Sequence, residues 1–142
     1  MCLKISNIFK TRDAAQKFSK TPLVASSNMV VYKMLDKHEA YTSPHHCIRY
    51  FPGETKSVKK FSFAYVDACG WRVNVNKGLH SYSKDRSNVV YEKHTETLKR
   101  YNRVLIKCII PKGTPYFTNK EGEYVSLKLQ MPGEYKDMWE NK

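Results

Sequence analysis

Apolar and polar residues alternate along much of this chain with a period of two, which is the spacing of a β-strand whose side chains point to opposite faces. Trp71, Val73 and Val75 alternate with Arg72 and Asn74, and Phe61, Phe63 and Tyr65 alternate with the smaller Ser62 and Ala64. Val125, Leu127 and Leu129 alternate with Ser126, Lys128 and Gln130, so one face meets a core and the other meets water. Two further runs, 29–35 and 103–110, are rich in β-branched and apolar residues and read as buried strands. The second is the strongest strand signal in the chain and is placed at the centre of a sheet.

Turn chemistry separates these runs. Thr42, Ser43 and Pro44 mark one turn, and a short extended segment over 46–51 is closed by Pro52 and Gly53. Gly78 opens another turn, into a short strand ending at Tyr82. Residues 115–118 and 123–130, joined by Asn119, Lys120, Glu121 and Gly122, predict a C-terminal hairpin.

A helical period appears in one place. Val90, Tyr91, His94, Leu98 and Tyr101 recur at helical spacing, and Ser87 or Asn88 can cap the start, which predicts a main helix over about 87–101. Near the N-terminus Leu3, Ile8, Phe9 and Phe18 fit one side of a short helix interrupted by Ser, Asn and Thr. The expected fold is therefore α+β, a single small domain of mostly antiparallel sheet. Its parts are an N-terminal arm or short helix over 1–27, an α+β core over 28–131 and a tail over 132–142, where Met138 and Trp139 dock back. No internal repeat or low-complexity segment interrupts this plan.

Composition agrees with one folded core. Hydrophobic residues make up 41% and aromatics 13% of the 142 residues, enough apolar area to offset the ordering entropy of the chain. No apolar run approaches the ~20 residues of a membrane-spanning helix, and the first residues lack the apolar stretch of a signal peptide. The residues therefore predict a soluble, cytoplasmic protein with no membrane partner. Cys2, Cys47, Cys69 and Cys108 show no CxxC spacing, so they predict reduced thiols and no zinc ribbon.

Charge adds the main functional hint. Lys and Arg number 25 against 13 Asp and Glu, a formal charge of +12 that favours an anionic ligand, nucleic acid or acidic protein as partner. The cations are spread along the chain, with clusters at Lys56, Lys59 and Lys60 and at Lys99, Arg100, Arg103 and Lys107. A solvated surface is the plain alternative. Basic and aromatic residues interleave at Arg49-Tyr50-Phe51, Lys60-Phe61, Trp71-Arg72 and Arg100-Tyr101-Asn102-Arg103, a pattern that suits stacking on bases beside phosphate contacts. Some of those aromatics must instead build the core.

Catalytic signatures are missing. Neither GxxxxGK[ST], GxGxxG nor GxSxG occurs, and no histidine sits in a ligand pattern. His45, His46 and Cys47 are adjacent, but on a strand His46 and Cys47 point to opposite faces. No metal and no cofactor is implied. His80 follows Gly78 and precedes the hydroxyls of Ser81 and Tyr82, so this loop offers donors for a phosphate or sugar; the alternative is a strand-edge histidine with its hydrogen bonds satisfied. Glu121 and Glu123 would share a face of a regular strand, as paired acid and base carboxylates can, although the turn around them equally suits solubilising charges.

Read together, Met1-Cys2-Leu3, Val31-Tyr32-Lys33-Met34-Leu35, Ser43-Pro44, Gly78-Leu79-His80-Ser81-Tyr82, the run 108–116 and Gly122-Glu123-Tyr124-Val125-Ser126 give a chain that resembles a group of small bacteriophage and prophage proteins of uncharacterised activity. The resemblance covers most of residues 28–130. It implies an accessory protein acting in the cytoplasm of an infected bacterium, in host takeover or anti-defence.

The order of Tyr32-Lys33, the segment 78–82 and the late Glu121-Gly122-Glu123 is also faintly similar to ADP-ribosyltransferases, which carry an early Arg or His, a middle Ser or Tyr motif and a late glutamate. This chain departs from that pattern, with Lys33 at the early position and a proline-glycine turn before the glutamate. That likeness implies Glu123 as the polarising carboxylate, with His80 and Tyr82 positioning a nucleotide.

The charge and the missing catalytic pattern favour a non-catalytic binder of a nucleotide or nucleic acid, with Lys33, His80, Ser81, Tyr82, Arg100 and Arg103 as ligand-binding residues. The alternatives are the transferase, with Glu123 and His80 catalytic, and an inhibitor that docks an acidic host protein. The oligomeric state is left open.

Overall fold

The computed structural model describes residues 3–37, 41–43 and 48–137. Eleven strands and two helices follow in the order β1 (Leu3–Lys4), α1 (Arg12–Ser19), β2 (Leu23–Val24), β3 (Met29–Asp36), β4 (Thr55–Ser57), β5 (Ser62–Asp67), β6 (Trp71–Lys77) and β7 (Leu79–Tyr82). The chain continues through α2 (Lys84–Arg100), β8 (Arg103–Ile110), β9 (Pro115–Thr118), β10 (Glu123–Ser126) and β11 (Lys128–Gln130). Every strand pairing among the described residues is antiparallel, so the α+β expectation holds.

A small sheet has the order β1-β6-β5, and a large one runs β2-β9-β10-β7-β3-β8-β11-β4. β3 and β8 pair along their whole length, from Met29 opposite Ile110 to Asp36 opposite Arg103, which puts the most apolar strand in the middle of the large sheet.

The large sheet cannot be flat. β10 and β11 stand four strand spacings apart in its order, about 19 Å at ~4.8 Å per strand. Yet only Leu127 separates them, and the step from Ser126 to Lys128 spans at most about 7 Å. The sheet is therefore rolled, and the alternating run 123–130, read above as one strand, is split at Leu127 so that its halves hydrogen-bond to opposite ends of β7-β3-β8.

Rolling gives the two strand faces different fates. Val31, Leu35, Leu79, Ile106, Cys108 and Leu129 fill the inside with Tyr50. On the outside, Phe117 and Val125 pack against Val73 and Val75 of the small sheet and Ala15 of α1. There the Phe117 ring meets Phe61 and Phe63 edge-on, with centroids 5.0 and 5.5 Å away. Elsewhere on the outside, Tyr82 and Leu105 pack with Met34 under Val90 and Tyr91 of α2.

Both helices start with a hydroxyl cap. Thr11 accepts from the backbone N–H of Ala14, and Ser83 accepts from that of Arg86, each satisfying a donor with no partner inside its helix. Capped by Ser83, α2 begins at Lys84, ahead of the Ser87 or Asn88 cap read from the sequence; its first turn of Lys84, Asp85 and Arg86 is polar, so the apolar period does not reveal it. Ser87 is instead buried within the helix. α2 is also broken at His94, where φ is −126° and ψ is 21°. The helix ends at Tyr101, and Asn102, with φ at +53°, turns the chain into β8.

Candidate anion-binding cleft between α2 and the sheet

The segment joining β7 to α2 meets the turn that precedes β10. Ser83 donates its backbone N–H to the carbonyl of Gly122 at 2.8 Å, which brings the start of α2 against the start of β10. Gly122 has φ at +78°, and a Cβ there would lie 2.4 Å from the Ser83 hydroxyl, so glycine is required on both counts. Glu123 follows directly, opposite Tyr82 in the β10/β7 ladder.

Between α2 and the sheet these residues leave a cavity of about 200 Å³. Met34, Val90 and Leu98 give it apolar walls, while Tyr82, Arg86, His94, Thr97, Arg103 and Glu123 add polar groups. Both halves of the broken helix contribute, Arg86 and Val90 before His94 and Thr97 and Leu98 after it.

The two arginines carry the electrostatics. The Nε atoms of Arg86 and Arg103 are buried and have no hydrogen-bond partner, and neither guanidinium forms an ion pair among the described residues. Such N–H groups are costly to leave unmade, and an anionic acceptor in the cavity would satisfy them. The Arg103 guanidinium also lies 5.1 Å above the centre of the Tyr101 ring, which Arg100 approaches at 6.0 Å.

Glu123 is held away from that role of internal counter-ion. Its Oε1 accepts from the Asn119 side-chain amide at 2.9 Å, and its backbone N–H donates to the Asn119 side-chain oxygen at 3.1 Å. The Tyr82 hydroxyl is pushed above its ordinary pKa, first by burial and then by the Glu123 carboxylate, while Arg86 and Arg103 pull it back. Tyr82 therefore stays protonated at neutral pH and keeps its hydroxyl proton available to donate.

The other residues singled out in the sequence lie elsewhere. Lys33 points inside the roll, where Nζ donates to the carbonyl of His80 at 2.6 Å and sits 5.2 Å above the Tyr50 ring. Burial, the larger effect, lowers its pKa to about 8 against a smaller opposing effect of Cys108, whose own thiol burial pushes up to about 12. Ser81 is buried, and His80 is half-buried and does not line the cleft. Arg100 is exposed and does not line it either. Glu121 is exposed in the turn, apart from Glu123. His45, His46, Cys47, Met138 and Trp139 lie outside the described residues.

Of the residues read from the sequence, Tyr82, Arg103 and Glu123 are thus brought together; Arg86 and His94 were not singled out as site residues. Their signal was present in the helical period. Arg86, Val90, His94 and Leu98 recur every four residues, so extending the apolar stripe of α2 back by one turn reaches Arg86.

Among the described residues no group of three or more His, Cys, Asp and Glu side chains could hold a metal ion, and no helix is long and apolar enough to cross a membrane. Comparison with family models, with curated proteins and with solved structures finds no match to this chain.

Proposed function

We propose that the protein is a non-catalytic binder of an anionic ligand of nucleotide or nucleic-acid type, and that it holds this ligand in the cleft between α2 and the sheet. The observation that carries this reading is the pair Arg86 and Arg103, two guanidiniums with buried, unpartnered Nε atoms lining one cavity. A phosphate accepts from such N–H groups in forked geometry, which a lysine cannot match. The Tyr82 hydroxyl adds a third donor, and the net charge of +12 steers anions toward the surface. In the setting implied by the phage-protein resemblance, this capture serves host takeover or anti-defence in the bacterial cytoplasm.

Fluorescence anisotropy at low salt with labelled single-stranded oligonucleotides, and calorimetry with a nucleotide panel, test the reading. Binding is expected to weaken by roughly 10- to 100-fold in Arg86→Ala and in Arg103→Ala, the range of a charge-assisted hydrogen bond. No binding by any probe, or binding unchanged in both variants, overturns it.

A second reading is favoured by the presence of Glu123 and Tyr82 in the same cavity, two of the positions that the ADP-ribosyltransferase likeness implies, while His80 and Lys33, the other two, lie outside it. Under it, labelled NAD transfers label to a lysate protein and Glu123→Gln abolishes the transfer. Absence of labelling, or labelling that survives the substitution, removes it.

A further inference from the structure

Resting on the binding reading above, we infer that the cleft selects a ribonucleotide unit over its deoxy counterpart, with Glu123 accepting a ribose hydroxyl. The cleft is bipolar. Two guanidiniums and one carboxylate leave a net charge of +1, which matches the single negative charge of a phosphodiester. Yet among the described residues Glu123 forms no ion pair with either arginine, and the side chain that holds it is the neutral amide of Asn119, on Oε1.

A carboxylate kept beside a phosphate site repels the ligand unless the ligand brings a donor to it. A sugar hydroxyl next to the phosphate is such a donor, and the ribose 2′-hydroxyl is the one that deoxyribose lacks. Size agrees, because about 200 Å³ accommodates a sugar-phosphate unit and not a whole dinucleotide. The base is left for the outside of the cleft, where the half-exposed Tyr101 ring under Arg103 offers a stacking face.

The test compares labelled oligouridine and oligodeoxyuridine of one length on the whole protein at low salt, with uridine and deoxyuridine monophosphates in parallel. The oligonucleotides and free nucleotides distinguish a strand from a mononucleotide as the source of the unit, and the ribose preference is expected in whichever binds. We expect the ribose form to bind about tenfold tighter, the scale of one hydrogen bond to a charged acceptor. Glu123→Gln should weaken the ribose form severalfold and leave the deoxy form unchanged or tighter, since a repelling charge has gone.

Equal binding of ribose and deoxyribose forms, still weakened by Arg86→Ala, overturns the inference and leaves the binding reading standing. No binding of either form overturns both. Equal losses for both sugars in Glu123→Gln assign Glu123 a structural role and overturn the inference. If that variant does not fold, 2′-O-methyl oligouridine on the unaltered protein decides: affinity equal to the hydroxyl form overturns the inference, and affinity near the deoxy form supports it.

Discussion

The inside of the rolled sheet and the cleft beneath α2 both hold cations, yet they treat them in opposite ways. Lys33, inside, is enclosed by apolar side chains and the Tyr50 ring, with one carbonyl as its hydrogen-bond acceptor. Burial disfavours its charge, and its pKa falls to about 8. Arg86 and Arg103, outside, line an open cavity, and Arg103 rests on an exposed aromatic ring. A guanidinium cannot shed its proton as an amine can, so its unmade hydrogen bonds are met by an acceptor entering the cavity, and an anion makes the stronger ones. The difference teaches that burial alone does not mark a ligand site. What sets the cleft apart is an open cavity beside buried N–H groups that have no hydrogen-bond partner.

The largest effects should come from β8, whose alternate residues face the two regions. Ile106→Ala inside and Leu105→Ala under α2 each delete a buried side chain and should cost about 2–5 kcal/mol in chemical denaturation. Only Leu105→Ala is expected to change ligand affinity as well, because its neighbours Tyr82, Met34 and Val90 line the cleft. Equal changes in affinity for both variants would erase the distinction.

Lys33 gives the next largest effect and a pH signature. Its folded pKa of about 8 lies below the ordinary 10.5, so between those values the unfolded chain binds more protons and stability should rise with pH. The full rise is about 3 kcal/mol at ~1.4 kcal/mol per pH unit. The Cys108 thiol, pushed by burial from 9.0 up to about 12, works against it above about pH 9, and the buried hydroxyls of Tyr50 and Tyr135 add to this above about pH 10, because the unfolded groups ionise first. Denaturation curves from pH 7.5 to 9 should show the rise, and Lys33→Met should abolish it, increase stability at pH 7 and leave binding unaltered.

Arg103→Lys sharpens the comparison on the other side. It keeps the charge but loses the fork and the flat stack on Tyr101, so affinity should fall about 3- to 10-fold with stability within ~0.5 kcal/mol. Full affinity in the lysine variant would mean that a point charge suffices.

The smallest effects concern the helix caps. Ser83→Ala and Thr11→Ala each remove one cap and should cost about 1 kcal/mol by thermal melting. Ser83→Ala should also weaken binding, because its helix start positions Arg86. The α1 variant serves as the control and should leave binding unchanged.

The sequence by itself determined the longer strands β3, β5, β6 and β8 and the long helix, because alternation and helical period are local properties that each segment displays alone; β1, β2 and β4 are too short to carry such a period, and the break between β10 and β11 left no local mark. It also located Tyr82, Arg103 and Glu123 as candidate chemistry, through residue type and motif. What it could not display is which face of a strand ends inside. Lys33 and Tyr82 were both read as ligand residues, and one residue of register separates the inward face of β3 from the face that carries its own neighbour Met34 into the cleft. That choice depends on the sheet rolling at Leu127 and on Ser83 meeting Gly122, contacts between residues distant in the chain. Arg86, Arg103 and Glu123 come to line one cavity only when those contacts form, since charge spacing along a chain carries no record of distance in space.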